Sequence, residues 1–196
     1  MKKHWLISMA VTIALLFMLI PAAYAAGAFS YEAEAQVLND LGLYKGISCT
    51  SFDPDLGSAL NRETGVVMLL RIFGLEAEAE AMADADVDAA LARFSDADEI
   101  SGWARNQIAY AVENGLVSGY PDGNFGAKLA LSGKMYCTLI LRQLGYTPDY
   151  NNAPAELAEK GMLIPEQAGQ FAEKPLVRDD LVGISYGMLT APYNNS

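Results

Sequence analysis

One pattern recurs three times along this chain and restricts it to a helical repeat fold. A first helix ends at a glycine followed by apolar residues: Gly42-Leu43-Tyr44, Gly115-Leu116-Val117 and Gly161-Met162-Leu163. Glycine just past a helix adopts the left-handed cap conformation that other residues resist. A loop then carries a phenylalanine, Phe52, Phe125 or Phe171, several residues ahead of a second helix. That second helix shows apolar positions at i, i+3, i+4 and i+7, the signature of one buried face. They are Val66, Leu69, Leu70 and Phe73, then Cys137, Ile140, Leu141 and Leu144, then Val182, Ser185, Tyr186 and Leu189. The expectation is an all-α chain of three helix-loop-helix units over 28–75, 94–146 and 149–191. One unit cannot bury its own apolar faces, whereas three stacked together can.

Residues 76–93 interrupt the pattern with an Ala- and Glu-rich acidic segment, read as an exposed or partly packed helix connecting the first two units. Asp84, Asp86 and Asp88 have the opening spacing of a calcium loop. The EF-hand needs glycine and glutamate further on, where this chain has Ala89 and Ser95. A solvated acidic helix is the better reading. In the third unit Pro154 stands where Ile108 stands in the second, which predicts a shorter first helix with proline tolerated in its first turn.

The N-terminus reads as a signal peptide rather than as part of the fold. Lys2 and Lys3 precede an apolar stretch from Trp5 to Ile20 and a small-residue site ending at Ala25. The apolar stretch falls short of the roughly 20 residues a spanning helix needs, so no stable membrane span is expected after cleavage. Losing Lys2 and Lys3 deepens the formal charge from −11 to −13. Such acidity argues against nucleic acid, whose affinity comes from Lys and Arg on phosphates. His4 is the single histidine. A mature chain without imidazole has no Ser-His-Asp site, no Cys-His site and no histidine-bound zinc. No cofactor is expected. A carboxylate-driven glycosidase would need two acids held across a cleft, and no pair stands out. Cys49 lies in the first loop, and Cys137 sits at an internal helix position, reading as a small buried apolar residue rather than a disulfide partner.

The stretch from Phe94 to Tyr146, with its Phe-Ser-Asp lead-in, Trp103-Ala104 helix start, Gly115-Leu116-Val117 helix end and Tyr120-Pro121-Asp122-Gly123 turn, resembles an S-layer homology (SLH) repeat. The likeness is strongest in this middle unit and degenerate in the third. It implies a pseudo-threefold helical prism with ligand grooves between neighbours, and attachment to secondary cell-wall polysaccharide, an anionic and often pyruvylated glycan. In that family a Thr-Arg-Ala-Glu-like motif opens the second helix, and its arginine faces the groove. Leu60-Asn61-Arg62-Glu63 and Leu176-Val177-Arg178-Asp179 align with it, which makes Arg62 and Arg178 the leading ligand-binding candidates. A guanidinium grips a carboxylate or phosphate with two parallel hydrogen bonds. Each arginine is also readable as a plain surface residue, or as one bridging to a neighbouring acid such as Asp55 or Asp180. The middle unit departs from the pattern: Gly133 replaces the arginine, and that groove is expected to be weakened or lost.

Other candidates follow from the same resemblance. Trp103 either stacks on sugar or packs in the core. Asp96 matches the family's acidic position, with turn formation as its plain alternative. Tyr120 and Tyr44 each offer a ring and a hydroxyl to a sugar, or wedge a loop onto the core. The resemblance thus implies a secreted, non-catalytic module at the cell wall. The alternative is an exported interaction protein that keeps the fold, binds a surface protein partner and has lost glycan binding.

Overall fold

Three leucines close a ring of backbone hydrogen bonds at the centre of the molecule. The amide of Leu60 donates to Leu176 O (3.0 Å), that of Leu176 to Leu131 O (2.7 Å), and that of Leu131 to Leu60 O (2.9 Å). All three side chains are buried. Isolated antiparallel bridges flank the ring, joining Ala59 to Val177, Asn61 to Ala130 and Ser132 to Pro175. The computed structural model describes residues 30–48, 50–172 and 174–191. The leader read in residues 1–25 and Cys49 lie outside them.

The described residues are helical with no named strand. The helices are α1 (Glu32–Asp40), α2 (Arg62–Ile72), α3 (Glu76–Glu80), α4 (Asp84–Leu91), α5 (Arg105–Glu113), α6 (Gly133–Gln143), α7 (Ala153–Glu159), α8 (Pro165–Ala172) and α9 (Arg178–Thr190). Short 3-10 turns at Ala97–Glu99 and Gly102–Ala104 lead into α5. Each ring leucine stands two residues before a long helix: α2, α6 or α9. Asn61 and Ser132 cap α2 and α6 through their side-chain oxygens. The α9 start lacks such a side chain, and Asp180 accepts from the Val177 amide instead.

The helices then pack in a cycle. α5 lies on α2, α7 on α6, and α1 closes onto α9, the last helix of the chain. Loops follow the same order. Leu129 O and Ala127 O accept from the amides of Arg62 and Glu63, at the start of α2. Ser58 O and Leu56 O accept from Arg178 and Asp179, at the start of α9. Helix N-termini that would otherwise leave amides unpaired are satisfied by a neighbouring loop.

The first helices end as the glycines predict. Gly42, Gly115 and Gly161 have φ of 74°, 72° and 72°. The next residues, Leu43, Leu116 and Met162, donate back to Leu38, Ala111 and Leu157. On the second helices, the first three positions of each apolar set are buried or half-buried, whereas Leu144 and Leu189 are exposed. α6 ends at Gln143, so Leu144 falls in the cap and leaves the buried face. Cys137 is fully buried, and burial pushes its thiol up to about 12. Ser185 takes an apolar position in the pattern because its hydroxyl bonds that of Tyr136, 2.9 Å away and equally buried.

Two sequence expectations need correction. The connecting segment is two short helices instead of one, and of the exposed and partly packed alternatives α4 takes the packed one, burying Val87, Ala90 and Leu91 on α5. Phe171 lies in α8, not in a loop. Pro165 opens that helix, and it replaces the turn seen at Tyr120–Gly123. α7 is the short helix expected, with Pro154 in its first turn.

Candidate functional site

Counting from the leucine ring places two arginines at one step and two more at another. Arg62, Gly133 and Arg178 each lie two residues past a ring leucine; Arg71, Arg142 and Gly187 each lie eleven past. Two grooves result.

The first groove, about 160 Å³, is lined by Arg62 from α2, Ser118, Gly119 and Tyr120 from the loop after α5, Arg142 and neighbours from α6, and Tyr150 before α7. The Arg62 guanidinium lies over the Tyr120 ring (4.7 Å to the centroid) and the Phe125 ring (5.0 Å). Its Nη1 donates to the Tyr120 hydroxyl at 3.3 Å. Its Nε is buried and has no hydrogen-bond partner among the described residues. Burial lowers the Arg62 pKa, yet an arginine stays charged under ordinary conditions. Arg142 donates to Leu116 O at 3.0 Å. No described carboxylate lies within ion-pair distance of either arginine.

The second groove, about 180 Å³, repeats the layout with Arg178, Tyr44, Lys45, Gly46, Thr64, Val67, Met68, Arg71 and Trp103. Its charges are already matched. Arg178 Nε lies 3.6 Å from Asp55. Arg71 and Lys45 both bind Glu76, at 2.5 and 2.8 Å. The Arg71 guanidinium, helped by Lys45, holds the Glu76 carboxyl down to about 2. Two sequence positions account for the difference between the grooves. Asp55 corresponds to Gly126, and Glu76 corresponds to Thr147.

The third junction is filled. A Cβ on Gly133 would meet the Phe171 carbonyl oxygen, and one on Gly187 would come within 2.5 Å of Met162 O. The Tyr31 ring lies against Gly183, and its hydroxyl accepts from Gln167 at 2.9 Å. Neither arginine step has room for a side chain.

The other sequence candidates separate by burial. Trp103 is 57% exposed on the rim of the second groove, so a core role is ruled out. Tyr44 is 1% exposed, edge-on to Phe52, and burial raises its pKa. Only its hydroxyl reaches the groove, 3.5 Å from Arg178 Nη1. Both oxygens of Asp96 are taken by the amides of Phe125 and Gly126, at 2.7 and 2.8 Å. That bond pair holds the loop presenting Tyr120. Arg71, Arg142 and Tyr150 did not emerge from the sequence. A basic residue in a helix's last turn reads there as a partner of the helix dipole.

Glu63 and Asp179, one step past Arg62 and Arg178, tie neighbouring segments. Buried Glu63 accepts from the Ser101 amide and hydroxyl and from Lys128. Burial raises its pKa, but these bonds outweigh it and leave the carboxyl low. Asp179 accepts from the amides of Ser30 and Tyr31, ahead of α1.

Among the described residues, no helix is long and apolar enough to cross a membrane. The chain is similar to the "Surface-layer 125 kDa protein" of Lysinibacillus sphaericus, with 31% identity over 94 residues; the match takes in 48% of this chain and 7% of the relative. Residues 93–133, which carry Asp96, Trp103 and Tyr120 and end at Gly133, match the S-layer homology domain.

Proposed function

We propose that the chain is an exported, non-catalytic wall-binding module that takes an anionic cell-wall glycan in the Arg62 groove. Its units span 28–75, 94–146 and 149–191, read as three SLH-like repeats arranged as a prism around the leucine ring. The leader in 1–25 directs the chain out of the cell. One observation carries the reading: Arg62 and Arg142 face a single groove that has no carboxylate among the described residues, and there a buried Arg62 Nε is left without a partner. An unpaired buried donor is costly, and an anion entering the groove satisfies it. Tyr120 and Tyr150 supply rings and hydroxyls at the same place. A pyruvylated sugar, with its carboxylate on an apolar ring, fits this chemistry. The protein's overall acidity opposes the approach of such a polymer. Salt screens that field beyond about 8–10 Å, so binding rests on these short contacts.

The test is sedimentation of the chain with purified sacculi, intact or stripped of secondary polysaccharide, beside Arg62→Ala. Pelleting with intact walls only, weakened in the variant, supports the reading. Absence of pelleting by folded protein removes it. That outcome favours the alternative, an interaction protein that keeps the fold. The shallow groove of Pro154, Ala155, Ala158, Pro165 and Ala168 between α7 and α8 is the feature it would draw on.

A further inference from the structure

We infer that the Arg178 groove is not a second copy of the anion site but a subsite for an uncharged sugar unit of the same polymer. The inference rests on the proposal that the chain binds wall glycan. The two grooves share a layout and differ in charge. In the Arg62 groove both guanidiniums lack a carboxylate among the described residues. In the Arg178 groove every cationic side chain already has one: Arg178 has Asp55, while Arg71 and Lys45 share Glu76. An incoming anion would compete with carboxylates held in place by the protein, and would meet the field of Asp55 and Glu76. A neutral sugar meets neither cost.

What this groove offers suits hydroxyls and a sugar face. Trp103 presents the large exposed aromatic surface on its rim. The apolar C–H face of a pyranose stacks on such a ring while its hydroxyls remain free for hydrogen bonds. The Tyr44 hydroxyl and the Arg178 guanidinium, 3.5 Å apart, stand beside it as fixed polar groups. Tyr44 is itself fixed, with its ring buried and its hydroxyl donating to Pro54 O. Polar groups locked by packing lose little entropy on binding. The Asp55–Arg178 contact of 3.6 Å is loose, which leaves both groups with capacity toward a hydroxyl. Trp103 has Tyr150 as its counterpart in the first groove, so both grooves keep an aromatic while only one keeps free positive charge.

The experiment uses the full chain with Trp5→Phe, labelled with fluorotryptophan, so that Trp103 is the single reporter. It is titrated with secondary polysaccharide released from cell walls, native or freed of its acidic groups by mild acid, and fluorine NMR follows Trp103. The expected result is a Trp103 shift with the neutralised polymer. Its half-saturation should change less than about twofold between roughly 50 and 500 mM NaCl, across which screening of exposed charge rises strongly. Arg62→Ala should leave this shift in place. Trp103→Ala should weaken retention of the neutralised polymer about tenfold, a loss of about 1.4 kcal/mol, with an unchanged far-ultraviolet circular dichroism spectrum. A Trp103 shift that needs the acidic groups and fades with salt overturns the inference. So does a silent Trp103 while native polymer still binds through Arg62, and that result leaves the proposed function standing. Failure of both polymers to bind removes the proposed function, and the inference with it.

Discussion

Asp55 and Gly126 occupy the same step before Leu60 and Leu131, both in left-handed backbone with φ of 48° and 74°. Asp55 places a carboxylate 3.6 Å from Arg178, while Gly126 offers none to Arg62. A Cβ on Gly126 would lie 2.7 Å from the Leu129 side chain and 2.9 Å from that of Tyr120. The loop geometry is shared, and one side chain sets the charge of each groove.

Asp55→Gly separates these roles. Glycine relieves the left-handed strain of Asp55, and the lost ion pair is partly exposed, so stability should change by less than about 1 kcal/mol. The variant frees Arg178. Anionic wall polymer should then shift the Trp103 signal in a salt-dependent way. Urea unfolding and the same fluorine titration check the two halves.

Restoring the arginine at the third junction should fail. Gly133→Arg puts a side chain against the Phe171 backbone, which cannot yield as a flexible side chain does. A loss of about 1–3 kcal/mol is expected from overpacking, with no gain in wall binding. Urea midpoints and sacculus pelleting measure both.

The two carboxylate ties are expected to act locally. Glu63→Gln removes the charge-assisted bonds from Lys128 and Ser101 and should cost about 1.5–3 kcal/mol. Asp179→Asn weakens the attachment of Ser30 and Tyr31, and so the closure of α1 on α9. Faster hydrogen exchange concentrated in α1 is the expected mark of Asp179→Asn. Uniformly faster exchange would refute the local role.

Glu76 makes stability depend on acid. Its folded pKa of about 2 lies below the ordinary carboxylate value, so the unfolded chain takes up the proton first. The stabilisation is complete above the ordinary value of about 4.3 and drains away as pH falls toward about 2. Wild type and Glu76→Gln should differ in urea midpoint at neutral pH and converge toward the acid end.

The sequence by itself determined the first and second helix of each unit, the glycines that end the first helices, the step occupied by Arg62 and Arg178, and Gly133 where those arginines stand. All of these are set within a few residues, where helix periodicity and left-handed backbone leave a readable mark. It did not show the break between α3 and α4 or the helix α8. Tertiary structure decided the rest. Arg142 and Arg71 joined the grooves because α6 and α2 pack beside loops and aromatics from other segments. Trp103 went to the surface and Tyr44 to the interior, although both had been open to either place. Only the folded chain shows that Arg178 is matched by Asp55 while Arg62 meets no carboxylate among the described residues. The charge of a groove is a sum over residues far apart in the chain, and no local pattern carries that sum.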